Sequence, residues 1–440
     1  MNIEAGEPTW PELLGSNSWE GLLHPLDLSL RRLILRCGDF CQATYDAFNN
    51  DKNSKYCGSS RYGKASFFHK VMLHNASDYE VVAFLYATAK VGHHSALLFH
   101  SQSRESWDRE SNWIGYIAVT TDEVSRALGR REIYVAMRGT SRSYEWIDVL
   151  EAKLEPVVSL LRPNARDEHM TDGSNCDSKG DNERSSVFSN FFNWAYLICK
   201  KEPKVMKGWL TIYISEDPNS QFTKKNARTQ LLTKIDELIK QYKDAEVSVT
   251  LTGHSLGASL AVLGAFDLVE NCVSDNIPVS AIVFGCPQVG NKAFNERLKR
   301  YPNLNVLHVK NTIDVIPHYP GWMLGYKHTG VELVIDTRKS PSLKDSKNPS
   351  DWHNLEAMLH VVTGWNGEKE KFELKVNRSL ALVNKSSEYL KDEYLVPGSW
   401  WVERNKGMVR DENGEWVLAH PDEDDLPVPE CYSSVRVVGP

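Results

Sequence analysis

The spacing of hydrophobic and polar positions changes along this chain, and each change marks an element. Leu28, Leu30, Leu33, Leu35, Phe40, Ala43 and Tyr45 recur with helical spacing, so Leu26–Phe48 is expected to form an amphipathic helix. Val81–Tyr86, Trp113–Thr120 and Glu132–Met137 read as strands, and Phe188–Cys199 and Asn226–Tyr242 as helices. Val247–Thr252 is β-branched and alternating, hence a strand, and the apolar run Ala258–Val269 is a helix. Ala281–Phe284, Asn305–Val309 and Val331–Ile335 are further strands, and Asn291–Tyr301, Leu355–Val362 and Arg378–Tyr394 further helices. Met408–Arg410 and Trp416–Leu418 flank Asn413-Gly414, a hairpin signal. Polar breaks fall at the Asp51–Lys64 loop, the Arg162–Ser186 surface insertion and the acidic tail Pro421–Pro440. Strands alternating with helices predict an α/β fold: a mostly parallel sheet, helices on both faces, an extra N-terminal helix and a C-terminal hairpin.

Composition narrows the class. With 440 residues, 41% hydrophobic and 25% charged, the chain can bury a large core, as one large domain or two. A net charge of -7 argues against nucleic acid as a partner and against a polybasic membrane anchor. Met1–Trp19 lacks the basic and apolar regions of a signal peptide, and no apolar run is long enough to cross a membrane. The eight cysteines contain no C-x-x-C pair, which fits reduced thiols and a cytoplasmic location. Neither H-E-x-x-H nor a clustered Asp loop is present, so no metal and no cofactor is expected.

The candidate chemistry centres on Gly253-His254-Ser255-Leu256-Gly257, a G-x-S-x-G pentapeptide between a strand and a helix. Such a turn holds a serine Oγ out into a site, with Gly253 and Gly257 allowing close packing and the Leu256 N–H able to face an oxyanion. Serine needs a base, and the base an orienting carboxylate, both expected downstream at strand ends. Asp314, in Asn311–Pro317, is the favoured acid; Asp336 also follows a strand, while Asp267 and Asp275 compete less well. Among His308, His318, His328, His353, His360 and His420, His353 is favoured because it opens a helix. His360, among Leu355, Met358, Leu359 and Val362, reads as a packing residue, and His254 as support for the turn. After Glu132–Met137, Gly139 permits a tight turn and Thr140 can donate to an oxyanion. Tyr144, Trp146, Ile147, Val149 and Leu150 follow as an apolar patch: a lipid-facing lid or a core helix.

Met137-Arg138-Gly139-Thr140, Gly253–Gly257, Asp314 in N-T-I-D-V-I-P and His353 in H-N-L-E-A-M-L-H together resemble the class 3 lipase family. Arg61-Tyr62-Gly63-Lys64 and Val396–Trp401 are similar to its plant phospholipase A1 branch, in the cytosolic class. The resemblance spans about Trp10 to Leu418, except that the Arg162–Ser186 stretch has no clear match. It implies an α/β-hydrolase-type fold in one domain over 1–420, with an N-terminal extension to about residue 60, an appendage over about 378–420 and a loose tail at 421–440. It also implies hydrolysis of the sn-1 ester of glycerolipids by a Ser255, Asp314 and His353 triad. The oxyanion hole would lie at Thr140 and Leu256, and the lid over about Ser141–Leu154, including Tyr144, Trp146, Val149 and Leu150. The implied partner is a glycerolipid at a membrane or micelle surface, met by transient peripheral contact without a transmembrane segment. A mono- or diacylglycerol lipase, a soluble carboxylesterase and an inactive lipid-binding protein are the other readings.

Overall fold

A computed structural model describes residues 7–51, 53–54, 56–88, 111–140, 152–162, 202–216, 224–274, 276–401 and 408–418. The expected helix Phe188–Cys199, the polar stretch 163–186 and the tail from 419 lie outside the described residues. Among the described residues the central sheet has seven strands: β1 (Tyr79–Thr88), β2 (Ser111–Thr120), β3 (Arg131–Met137), β4 (Val247–His254), β5 (Val279–Phe284), β6 (Leu304–Asn311) and β7 (Val331–Ile335). Their spatial order follows the chain. The β1–β2 and β2–β3 pairs are antiparallel, and every later neighbour is parallel. β3 and β4 are buried along their whole length, as expected for interior strands of near-continuous apolar and β-branched residues.

Helices cover both faces. On one side the elbow helix Leu256–Asn271 packs with Lys207–Ile214 and Ala227–Gln241. On the other, Leu28–Asp46 packs with Leu355–Gly364. These last two helices approach closely at Gly38, where an added Cβ would come within 2.1 Å of Leu359 Cδ2. Buried Arg31 reinforces the contact by donating to the carbonyls of Val362, Trp365 (2.7 Å) and Leu26 (3.1 Å), which set backbone dipoles against its charge. The predicted N-terminal helix is therefore a layer of the fold. A second sheet, not foreseen, joins the short strands Tyr326–Lys327, Gly290–Asn291, Lys204–Met206 and Leu154–Pro156. Pieces of two or three residues carry no readable periodicity.

One predicted helix is absent. Arg378–Tyr394 forms only two 3₁₀ turns, Leu380–Asn384 and Asp392–Tyr394. The Asn384 side chain accepts from the N–H groups of Tyr389 (2.8 Å) and Leu390 (2.9 Å), replacing a helical ladder with a local turn. Arg378 pairs with Asp39 and with Glu356, and Lys385 with Asp46, pulling the segment onto both helices of that face. The Met408–Arg410 and Trp416–Leu418 hairpin forms as expected.

Candidate active site

The G-x-S-x-G turn sits at the C-terminal end of β4. Ser255 adopts φ 59° and ψ -128°, a conformation L-residues avoid. Its N–H donates to Phe284 O (3.0 Å), and its carbonyl accepts from Ala258 N–H (3.0 Å), so neighbouring backbone holds the strained turn. Two glycines make this packing possible. A Cβ at Gly253 would meet Gly257 O at 2.2 Å, and one at Gly257 would meet Met137 O at 2.3 Å. The second contact presses the Arg138–Thr140 turn against the first turn of the elbow helix. Thr140, half-exposed, follows that contact in the chain, and the buried Leu256 opens the helix on its other side. Two amide N–H groups near a helix N-terminus suit a developing negative charge.

The favoured acid and base are also together. Asp314 lies just past β6, buried, and accepts from Ile316 N–H at Oδ1 (3.0 Å). Its Oδ2 accepts from His353 Nδ1 at 2.6 Å. That bond places the His353 proton on Nδ1 and leaves Nε2 as the basic nitrogen. Asn311, at the end of β6, donates to Trp352 O (2.8 Å) and so ties the acid's strand to the residue before the base. The His353 ring lies on that of His254, with centroids 4.4 Å apart. His254 immediately precedes Ser255, so His353 is in contact with the serine turn.

The other candidates have structural partners. Asp336 caps the turn at Thr337 and forms a two-point pair with Arg338 (2.9 and 2.8 Å). Asp267 is buried between Arg228 and Tyr213. His360 Nε2 shares a hydrogen bond with Ser340 Oγ (2.7 Å), packs on Phe372, and is driven down to about 4 by burial. His308 is buried in β6, accepts from Cys286 N–H (2.9 Å) and is lowered to about 3 by the same cause. His318 and His328 are exposed, the latter beside Glu332. Asp275, His420 and the lid residues Tyr144, Trp146, Val149 and Leu150 lie outside the described residues.

Three residues to which the sequence assigns no task complete the geometry. Tyr45, from the helix Leu28–Asp46, bonds to His254 Nδ1 at 2.8 Å, and His254 Nε2 bonds to His353 O at 2.9 Å. A carbonyl can only accept, so Nε2 carries the His254 proton and Nδ1 accepts from the tyrosine hydroxyl. Burial keeps His254 well below the ordinary histidine range, hence neutral beside His353. Gly285, at φ +52°, lies under the acid and base: a Cβ there would sit 2.7 Å from His353 Cε1 and 3.3 Å from Asp314 Oδ2. Arg138 is fully buried, donates to Trp113 O (2.9 Å) and Gly139 O (3.0 Å), and so fixes the turn that presents Thr140. Among the described residues, no group of three or more His, Cys, Asp or Glu side chains could hold a metal ion.

Comparison with known proteins bears on the same residues. The family model Lipase (class 3) matches residues 134–324. A protein named Phospholipase A1-IIdelta from Arabidopsis thaliana is 61% identical over 424 residues, covering 96% of this chain and 98% of that protein. Phospholipase A1-II 5 from Oryza sativa subsp. indica is 49% identical over 433 residues, covering 97% and 86%. Among solved structures, the Lip2 lipase of Yarrowia lipolytica is similar at 19% identity and a TM-score of 0.41, covering 71% of this chain and 80% of that one. A strand–serine–helix turn on a mostly parallel sheet, and relatives this similar along nearly their whole length, lead to one conclusion: the chain belongs to the class 3 lipase family, in its plant phospholipase A1 branch.

Proposed function

We propose that this protein is a serine-dependent acyl hydrolase that cleaves the sn-1 ester of glycerolipids, with phospholipids as the main class. Ser255 Oγ attacks the ester carbonyl while His353 Nε2 takes its proton, and Asp314 stabilises the imidazolium. The N–H groups of Leu256 and Thr140 receive the oxyanion. As the intermediate collapses, His353 returns the proton to the leaving glycerol oxygen, releasing the lysolipid. Water, activated by the same histidine, then frees the fatty acid from Ser255. The observation that supports this most strongly is the 2.6 Å Asp314–His353 pair beside a serine held at positive φ. We also place the enzyme in the cytoplasm, in transient contact with the membranes that hold its substrate, and assign the lid role to the segment 141–154. No described helix is long and apolar enough to cross a membrane.

The test combines labelling with product analysis. A fluorophosphonate probe should modify Ser255, and Ser255→Ala and His353→Ala should each lower turnover by roughly 10³-fold or more while the protein stays folded. Phospholipid labelled in one chain should release the sn-1 acid. Full activity in folded Ser255→Ala would refute the mechanism, and release of the sn-2 acid would refute the regiochemistry.

A further inference from the structure

The Asp314 loop continues into a turn whose surface is unusual. Trp322, Met323 and Leu324 are 73%, 82% and 54% exposed, and Val315, next to the acid, is 50% exposed. Single exposed apolar residues are ordinary, but three in succession with a tryptophan among them form a patch that a protein keeps in water only for use. The turn is held firmly. Leu324 N–H donates to Gly321 O (3.1 Å) and Gly325 N–H to Trp322 O (3.0 Å). The two glycines that bracket it have φ +108° and +86°.

Its position relates it to the site. Gly321 N–H donates to Gln288 Oε1 (3.1 Å), and Gln288 N–H donates to Tyr319 O (2.8 Å). Gln288 is three residues beyond Gly285, which underlies His353 and Asp314. On the other side, Tyr326 OH donates to Ala152 O (3.2 Å), and a Cβ at Gly325 would touch Leu154 at 3.4 Å. Leu154 ends the proposed lid segment. The turn therefore forms a fixed apolar rim between the acid's loop and the far root of that segment.

We propose that the Gly321–Gly325 turn is a bilayer-docking element, inserting Trp322, Met323 and Leu324 among lipid acyl chains at the edge of the active site. The proposal rests on the acyl-hydrolase reading, because a substrate chain must pass from a bilayer to a serine that is only 4% exposed. A bilayer is the occupant favoured here: the rim is apolar, and tryptophan suits the boundary between headgroups and chains. With a net charge of -7 the chain as a whole is not drawn to anionic lipid, so the contact is assigned to apolar insertion, and neutral phosphatidylcholine should suffice.

The experiment uses vesicle flotation in a Ser255→Ala background, so that the lipid stays intact. The parent should float with phosphatidylcholine vesicles, and raising salt from about 0.05 to about 0.5 M should change this little. Combining Trp322→Ser, Met323→Ser and Leu324→Ser should weaken partitioning by about tenfold or more, since burying even one such side chain accounts for that much. With Ser255 restored, the triple variant should hydrolyse a dissolved short-chain ester like the parent but lose most of its rate on vesicles. Equal flotation of parent and triple variant, or none by either, overturns the proposal. If the acyl-hydrolase reading alone were wrong, both proteins would fail on every ester while the flotation difference persisted.

Discussion

At the scale of residues, the site depends on atoms that do no chemistry. Gly285 must lack a side chain, both because its φ is +52° and because a methyl group would occupy the place of His353. If His353 is the proposed base, Gly285→Ala should lower kcat/KM on a dissolved ester by about 10²-fold, the usual result of displacing such a group by roughly 1 Å. Fluorophosphonate labelling should slow in parallel, and an unchanged rate would show that His353 is not displaced. Tyr45 acts at one remove, through His254. Tyr45→Phe keeps the ring but leaves the buried His254 Nδ1 without its donor, costing about 1–3 kcal/mol of stability in urea unfolding. Because the freed imidazole also supports the His353 carbonyl, kcat should fall several-fold with KM nearly constant. Loss of stability with unaltered kcat would confine Tyr45 to a structural role.

At the scale of elements, an early helix and two late segments meet on one face of the sheet. The helix Leu28–Asp46 lies against Leu355–Gly364, and the segment after Arg378 closes over both. Asp46 and Lys385 pair with their side chains only 5% and 7% exposed. Removing one partner from such a buried pair leaves a charge uncompensated. Lys385→Ala should cost about 3–5 kcal/mol in urea unfolding, and adding Asp46→Asn should restore part of it. The long helices were legible because their apolar stripes persist over several turns. The false helix over Arg378–Tyr394 shows where that signal misleads: its apolar residues face a surface built from distant segments, and Asn384 supplies a competing local turn.

At the scale of the whole molecule, buried histidines make stability depend on pH. His254, His308 and His360 are all held below the ordinary histidine value by burial, the last two at about 3 and about 4. In the unfolded chain they accept protons near pH 6.5, so the unfolded state binds more protons than the folded state below that value. Their stabilising contribution is thus complete above about pH 6.5. It is lost as pH falls towards their folded values, at up to about 1.4 kcal/mol per pH unit for each. Asp46, Asp267 and Glu356, raised by burial, oppose this slope as they protonate in the folded state. Urea unfolding between about pH 7.5 and 5.5 should show falling stability, and His360→Gln should reduce the slope by about one proton. An unchanged slope would mean that His360 is not held neutral.

The sequence by itself determined the alternation of strands and helices, the serine turn and the chain order of its partners. These are local patterns: β-branched alternation in Val247–Thr252, an apolar helix behind Gly257, and polar residues at strand ends. It also narrowed the acid and base to a few residues each, because only some follow a strand or open a helix. Tertiary structure alone decided that Asp314 meets His353 and that His360 goes to Ser340. It alone brought Tyr45 to His254 across 209 residues of sequence and placed Gly285 beneath the pair. The physical reason is that such contacts join side chains from separate elements, and their geometry comes from how helices and strands pack, which no local run of residues encodes.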